Sequence, residues 1–290
     1  GTDFNGFGRV VTDNIAIGDE ALNSTGANGH VGTIAIGTNS LTALTSSQGN
    51  TALGHEAGKA LTGENNTIIG YQSALTASNT NNSTIIGYKA MDAAVSGMHN
   101  NTIIGTNAGS AIADTNADNN VLIGNNAGVG GTAELKNCVV IGTEAMDSTT
   151  DQAQDGTVAI GYQALTGLSS GAGNTAVGYQ SAKAITSGTN NVAIGYDALS
   201  TANGGESNNV AIGKSAMLSA DNGATEKNIA IGRLALTGGS GALIGNIAIG
   251  HKALDATGAN AQTGTIAIGQ EALTSLTSGT SNTAIGYESV

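Results

Sequence analysis

One nine-residue phrase is repeated along nearly the whole chain, and the segment from Asn191 to Leu199 is a clean copy of it. The phrase reads Asn-Val-Ala-Ile-Gly-Tyr-Asp-Ala-Leu there, and its glycine is present in every copy. Sixteen copies are marked by Gly18, Gly37, Gly54, Gly70, Gly87, Gly105, Gly124, Gly142, Gly161, Gly178, Gly195, Gly213, Gly232, Gly250, Gly269 and Gly286, at intervals of 16 to 19 residues. A short unit repeated end to end predicts a solenoid, in which each coil packs on its neighbours.

The three residues before each glycine predict a short β-strand. The first of them is β-branched in all sixteen copies, and the third is Ile in fourteen, with Leu53 and Val177 as the exceptions. Branching at Cβ restricts the side chain and suits a pleated surface. The first and third residues point to the same side of a strand, and we expect that side to be the inside of the coil.

The middle residue of the three is apolar in every copy. It is Ala in eleven copies and Ile68, Ile85, Ile103, Leu122 and Val140 in the other five. If its neighbours face inwards, this residue faces outwards and needs a second layer, for which another copy of the chain is the simplest source. The candidates for an interface between subunits are therefore Ala16, Ala159, Ala176, Ala193, Ala211 and Ala230.

The other positions of the phrase predict turns and corners. The glycine indicates a sharp turn or a close approach of two backbones, and the always small residue three places later indicates a second, shorter strand. The opening Asn, present in eleven copies, is expected to form a hydrogen-bonded ladder of amides at one corner. Apolar residues in the connections, such as Leu44 and Leu168, predict a third buried corner.

Composition narrows the class of protein. The 290 residues include 45 Gly, no Pro and only 10% charged residues, which is far from an ordinary globular enzyme. The net charge of −12 argues against a nucleic-acid partner. No apolar run of about 18 residues is present, so we expect neither membrane insertion nor a signal peptide in this segment. We expect residues 1–13 to be a lead-in or cap and residues 14–290 to be one continuous repeat domain.

Few residues suggest chemistry. The lone cysteine, Cys138, stands at the Asn position and is expected to be a buried corner residue. Glu271 and Glu288, on adjacent coils, could share a cation or simply form a charged edge. The four His are scattered, and no Ser-His-Asp set can be proposed. We therefore expect no catalytic residue, no cofactor and no metal site.

All six Tyr directly follow the glycine of the phrase. Tyr162, Tyr179 and Tyr196 lie on three consecutive coils and predict a ladder of rings about 4.8 Å apart. Such a ladder could be plain packing between coils, or an exposed surface that contacts a glycan.

The phrase Asn-x-Val-Ala-Ile-Gly-x-x-Ala/Ser resembles the head repeat of the YadA-like trimeric autotransporter adhesins. Asn191 to Ala198, Asn209 to Ala216 and Asn228 to Ala235 carry the resemblance, and repeats of this kind also occur in phage tail fibres. The resemblance implies a left-handed parallel β-roll, assembled as a homotrimer. It also implies display outside the cell, on an outer-membrane anchor or a virion, for attachment to a host glycan or matrix protein.

The sequence thus predicts an all-β protein, a parallel β-solenoid of about sixteen stacked coils, and a non-enzymatic fibre or adhesin. A phage tail-fibre shaft is the first alternative. A polysaccharide-processing solenoid enzyme would need carboxylates facing a cleft. An ice-binding solenoid would need a flat outward array of Thr. Thr51, Thr67, Thr84 and Thr102 do stack on successive coils, but at the position expected to face inwards.

Overall fold

The chain forms two compact units, Gly1–Val140 and Ile141–Val290, in which all described regular structure is β-strand. The computed structural model describes residues 13–23, 30–94, 97–113, 115–131, 135–148, 154–202, 204–220, 224–258 and 260–290. Nearly all of the expected lead-in, residues 1–12, lies outside these ranges. Whether residues 14–290 form one continuous domain stays a prediction, and each unit is described by itself.

Every copy of the phrase forms one three-residue strand. The first unit holds β1 (Ile15–Ile17), β2 (Ile34–Ile36), β3 (Thr51–Leu53), β4 (Thr67–Ile69), β5 (Thr84–Ile86), β6 (Thr102–Ile104) and β7 (Val121–Ile123), and β8 (Val139–Ile141) lies where the units divide. The second unit holds β9 (Val158–Ile160), β10 (Thr175–Val177), β11 (Val192–Ile194), β12 (Val210–Ile212), β13 (Ile229–Ile231), β14 (Leu243–Ile244), β15 (Ile247–Ile249), β16 (Gln262–Thr263), β17 (Ile266–Ile268), β18 (Gly279–Thr280) and β19 (Thr283–Ile285).

Successive phrase strands pair in parallel and in register, so that Val192 pairs with Val210, Ala193 with Ala211 and Ile194 with Ile212. The same register links β1 through β7 in the first unit, and β9 through β13 and then β15, β17 and β19 in the second. The short strands β14, β16 and β18 form a second parallel sheet. The fold is a parallel β-solenoid of about 14 turns, since a turn runs from one strand to the next within a unit.

The middle residue of each strand points into the coil, which reverses the expected assignment of the two faces. The middle alanines Ala159, Ala176, Ala193, Ala211 and Ala230 have 0% exposure in the single chain, and Ala16 in the first strand is half-buried. The prediction that these alanines contact another subunit is therefore wrong for the five fully buried ones, because a side chain without exposed surface cannot touch a second chain. For Ala16 it stays a prediction. Alternation along a strand separates two faces but does not say which is inside.

The interior of the coil is narrow, and each strand contributes only its middle residue to it. The rest of the interior is filled by the residues three and four places after the glycine, such as Ala198 and Leu199, both with 0% exposure. The third buried corner that was expected is also present, as Leu44 and Leu168 are fully buried. Each such leucine contributes about 2 kcal/mol of hydrophobic stabilisation.

In two coils, those of Ile103 and Leu122, a large middle residue is matched by a glycine elsewhere in this narrow interior. In the coil of Leu122, the position that holds a leucine in the Ala193 coil is Gly128. A Cβ on Gly128 would lie 2.9 Å from Cδ2 of Leu122. Close packing of the interior therefore couples the two positions, and the five large middle residues are core residues.

The residues after the glycine form turns rather than the second strand that was expected. Asp197 and Leu199 both have φ of 53°, in the left-handed region that costs a non-glycine residue about 1 kcal/mol. Hydrogen bonds to neighbouring coils offset this cost: Asp197 N donates to Tyr179 O at 3.0 Å, and Leu199 N donates to Ala216 O at 2.9 Å. The backbone ladder between coils thus continues without strand geometry.

The opening asparagines form the expected ladder of amides, which is buried except at Asn14 and Asn282 in the first and last phrases. In the second unit, Asn191 Nδ2 donates to Asn174 Oδ1 at 3.0 Å and to Glu206 O at 2.6 Å. Its Oδ1 accepts hydrogen bonds from Asn209 N at 3.0 Å and from Asn209 Nδ2 at 3.2 Å. Cys138 occupies the same kind of position in the first unit and is fully buried, as predicted.

Replacing Asn191 with leucine should lower the free energy of unfolding by about 2 kcal/mol, because the buried Asn209 N–H and Glu206 carbonyl lose their partner. Urea unfolding followed by circular dichroism measures the change. Asn208→Lys is the matched control: Asn208 is exposed with φ of 60°, and Lys227 holds the equivalent position with φ of 61°. Equal stability of the two variants would show that the ladder contributes nothing.

Candidate functional site

In each unit, the outward side of the solenoid is an aliphatic face, formed by the first and third residues of its phrase strands. All of these residues are Ile, Val, Leu or Thr, and none is charged. Most are half-buried, while Leu53 is 45% exposed and Ile194 and Ile231 are each 37% exposed. An apolar outward face that could pack against a second layer is therefore present. It is formed by the first and third strand residues and not, as expected from the sequence, by the middle residue.

The tyrosine ladder (Tyr162, Tyr179 and Tyr196) forms as predicted. The ring centroids are 5.2 Å apart between Tyr162 and Tyr179 and 4.9 Å apart between Tyr179 and Tyr196, with interplanar angles of 24° and 7°. The three side chains are 40%, 42% and 49% exposed. The stacked rings cover each other's faces, so the ladder presents its edges and hydroxyl groups. Its contact with a ligand stays a prediction.

The column that holds the ladder continues as a series of cations. Ser215 N donates to Tyr196 O at 2.8 Å, and Leu234 N donates to Lys214 O at 3.1 Å, which places Lys214 and then Arg233 on the next two coils. Lys214 Nζ lies 5.2 Å from the centroid of the Tyr196 ring. These cations were missed at the level of the sequence, although they occupy the position of the tyrosines in the phrase.

The first unit holds a second aromatic stack, which consists of His55, Tyr71 and Tyr88. The centroids of His55 and Tyr71 are 5.2 Å apart, and those of Tyr71 and Tyr88 are 5.6 Å apart. Lys89 Nζ lies 5.9 Å from the centroid of Tyr88 and 4.0 Å from a carboxylate oxygen of Asp92. The cation beside this stack is therefore already paired.

The carboxylates do not form a metal site in the part of the chain that is described: no group of three or more His, Cys, Asp or Glu side chains could hold an ion there. Glu271 and Glu288 follow strands that pair directly, β17 and β19. A hydrogen bond to Glu288, together with the charges of Glu288 and Glu271, raises the pKa of Tyr287. Burial, with a contribution from Glu144, raises the pKa of Asp147.

A shallow groove of about 520 Å³ opens on the first unit and is lined by Thr42, Ala43, Glu56, Lys59, Ala60, Leu75 and Thr76. Glu56 accepts hydrogen bonds from Lys59 Nζ at 2.7 Å and Gln72 Nε2 at 2.8 Å. These two bonds lower the pKa of the Glu56 carboxyl. Glu56 is thus held ionised, which does not suit the general acid of a polysaccharide hydrolase.

The geometry defines a class of protein, an all-β repeat protein built as a parallel β-solenoid. No protein-family model matches the chain, and no curated protein matches it either. No helix among the described residues has the length and apolar character that a membrane crossing requires.

Proposed function

We propose that the chain is a non-enzymatic segment of an extracellular fibre, assembled as a homotrimer and used for attachment to a host cell, surface or matrix. The alternative owner of such a segment is a phage tail fibre. The likeness of the phrase to the head repeats of YadA-like adhesins supports the left-handed β-roll and the number three. The aliphatic face is the single observation that carries the proposal of assembly.

The aliphatic face is continuous within each unit. In the second unit it contributes two outward side chains from each of eight paired strands, whereas contiguous apolar patches on soluble monomers rarely exceed a few hundred Å². Charged residues occur elsewhere on the coils, as at Glu144 and Lys214, but never on this face. The exclusion of charge from one side only favours a face that is covered in the assembled protein.

A second copy of the chain is the partner that fits this face best. The side chains on the face recur once per coil, so a surface with the same spacing can interdigitate with it along each unit. An identical chain aligned in parallel has that spacing by construction, and symmetric homo-oligomers are the commonest assemblies. The β-branched residues of the face also lose little rotamer freedom on packing.

Light scattering tests the assembly directly. We expect the purified chain to have three times its mass of 28.2 kDa. A monomer at micromolar concentration would contradict the homotrimer, and a dimer would retain the interface but refute the number three.

Because the first residue of each strand points outwards rather than inwards, the structure also favours a second candidate function, that of an ice-binding protein. Thr51, Thr67, Thr84 and Thr102 lie on paired strands in register and point outwards, where hydroxyl and methyl groups at regular spacing could order water. Assembly would cover this array, so the two candidates exclude each other. A monomer that lowers the freezing point below the melting point, and loses this effect in Thr67→Lys, would favour ice binding.

A further inference from the structure

We infer that the second unit carries a binding strip for a linear anionic polysaccharide, one that bears carboxylate or sulfate groups. The strip consists of the tyrosine ladder and, on the following coils, the basic strip of Lys214, Arg233 and Lys252. This inference rests on the proposed attachment function and names the chemistry of what is attached.

The basic strip concentrates positive charge in a protein that has little of it. The chain has nine Lys and Arg against 21 Asp and Glu, and three of the nine lie on three successive coils. Leu234 N donates to Lys214 O at 3.1 Å, which places Arg233 beside Lys214, and Lys252 N donates to Arg233 O at 2.9 Å. Lys214 and Arg233 directly follow the phrase glycine, whereas Lys252 is the second residue after it and lies beside the column, in which His251 follows Arg233. Lys214 and Arg233 are exposed, and Lys252 is half-buried.

The cations of the basic strip have no carboxylate partner among the described residues. The ion pairs in that part of the chain join His55 and Lys59 to Glu56, Lys89 to Asp92, and Lys227 to Glu226. The nearest carboxylates are Asp197 on the coil before Lys214, Asp255 three residues after Lys252, and Glu271 on the coil after Lys252. None of them forms an ion pair with the strip, and Asp255 accepts a hydrogen bond from the Thr237 hydroxyl. Its charge is therefore available to a ligand.

Neighbouring rings hold two of the cations in place. Lys214 Nζ lies over the Tyr196 ring at 5.2 Å, a distance at which the ring attracts the ammonium group. Arg233 Nη1 lies 3.3 Å from His251 Nε2. Because a guanidinium only donates hydrogen bonds, the imidazole nitrogen accepts here. Such pre-positioned cations lose less freedom when they bind an anionic group.

The tyrosine ladder favours a ligand rich in hydroxyl groups over a ligand that binds by stacking on the ring faces. Tyr179 is covered on both faces by Tyr162 and Tyr196, and Lys214 lies over the next face of Tyr196. A nucleic acid binds such platforms by stacking its bases on ring faces, and these faces are occupied. The exposed phenol edges can instead exchange hydrogen bonds with sugar hydroxyls.

The arrangement also suits a polymer. One phenol or one cation is presented at the same position by each of five successive coils from Tyr162 to Arg233, at the strand spacing of about 4.8 Å. On the sixth coil His251 holds that position and Lys252 follows it. A linear polysaccharide that runs along the stacking direction places successive sugar units beside successive coils. Each contact is weak, and their number provides the affinity.

Calorimetry with alginate and polygalacturonate oligosaccharides tests the inference, with dextran as the neutral polysaccharide and oligo-dT as the nucleic acid. We expect both anionic oligosaccharides to bind at low salt and to bind less well as salt is added. The double variant Lys214→Gln/Arg233→Gln should lose about tenfold or more in affinity, since two charge-assisted hydrogen bonds are removed. The matched control Lys89→Gln/Lys227→Gln changes the net charge equally at paired sites and should bind like the wild type.

Three results would overturn the inference: no binding of either anionic oligosaccharide, equal binding of dextran, or tighter binding of oligo-dT. An equal loss of affinity in the control variant would also do so, because it would show a general effect of charge. The measurement is independent of the mass from light scattering. A trimer that binds nothing refutes the inference alone, whereas a monomer that binds alginate refutes the proposed assembly alone.

Discussion

Replacing Gly195 with alanine should lower the free energy of unfolding by about 3 kcal/mol or more. Gly195 has φ of 134°, which non-glycine residues rarely adopt, and a Cβ there would lie 2.7 Å from both the carbonyl carbon and oxygen of Gly213 on the next coil. Backbone strain costs about 1–3 kcal/mol, and overpacking adds about 1–3 kcal/mol. Urea unfolding followed by circular dichroism gives the value.

Gly245→Ala separates the two causes. Gly245 also has a positive φ, of 65°, but a Cβ there would meet nothing within 4 Å. Its replacement should cost only about 1 kcal/mol, the usual cost of a left-handed alanine. If Gly195→Ala were no more destabilising than Gly245→Ala, the close approach of the coils would not explain why every copy of the phrase keeps its glycine.

The double variant Ile194→Glu/Ile212→Glu should abolish assembly and leave the coil folded. Both residues belong to the aliphatic face, on paired strands, and two carboxylates there would have to be desolvated on association. We expect light scattering to give the mass of one chain, 28.2 kDa, and circular dichroism to match that of the wild type. A variant that assembles like the wild type would show that the face is open to water in the native protein.

Two further variants identify the face. Ala193→Glu places a charge at a position with 0% exposure inside the coil and should unfold its surroundings at a cost of several kcal/mol, so that circular dichroism changes together with mass. Gln270→Glu adds a negative charge at an exposed position outside the face and should leave both measurements unchanged. Loss of assembly in this last variant would point to general charge repulsion.

The sequence predicted the β-solenoid but not which side of each strand faces the interior. The spacing of the glycines and the β-branched residues located all sixteen strands, because each coil repeats the same local requirements. Alternation in a three-residue strand is consistent with either face pointing inwards. The choice between the two faces depends on the residues that pack against each of them. The pairing of Leu122 with Gly128 would have indicated the inside, since a bulky residue is matched by a missing side chain only where both share a core.

The turns after the glycine were missed for a different reason. Left-handed residues are usually recognised by Gly or Asn, and Leu199 and Met146, with φ of 53° and 49°, are neither. Hydrogen bonds between coils impose this conformation, and such bonds are invisible in a single repeat. The basic strip was missed because Lys214 and Arg233 stand at a position that tyrosine holds in six other copies, and the unpaired charge that they share becomes visible only once the coils are stacked.

The amide ladder has a consequence for how such a chain can change its length. Asn191 contacts Asn174 on one side and Asn209 on the other, and Asn209 in turn contacts Asn191 and Asn228 in the same way. Deleting or duplicating one whole coil therefore joins surfaces that already match, whereas removing half a coil breaks the register of every strand beyond it. Gene rearrangements in steps of one period can shorten or extend the protein while all remaining coils keep their native neighbours.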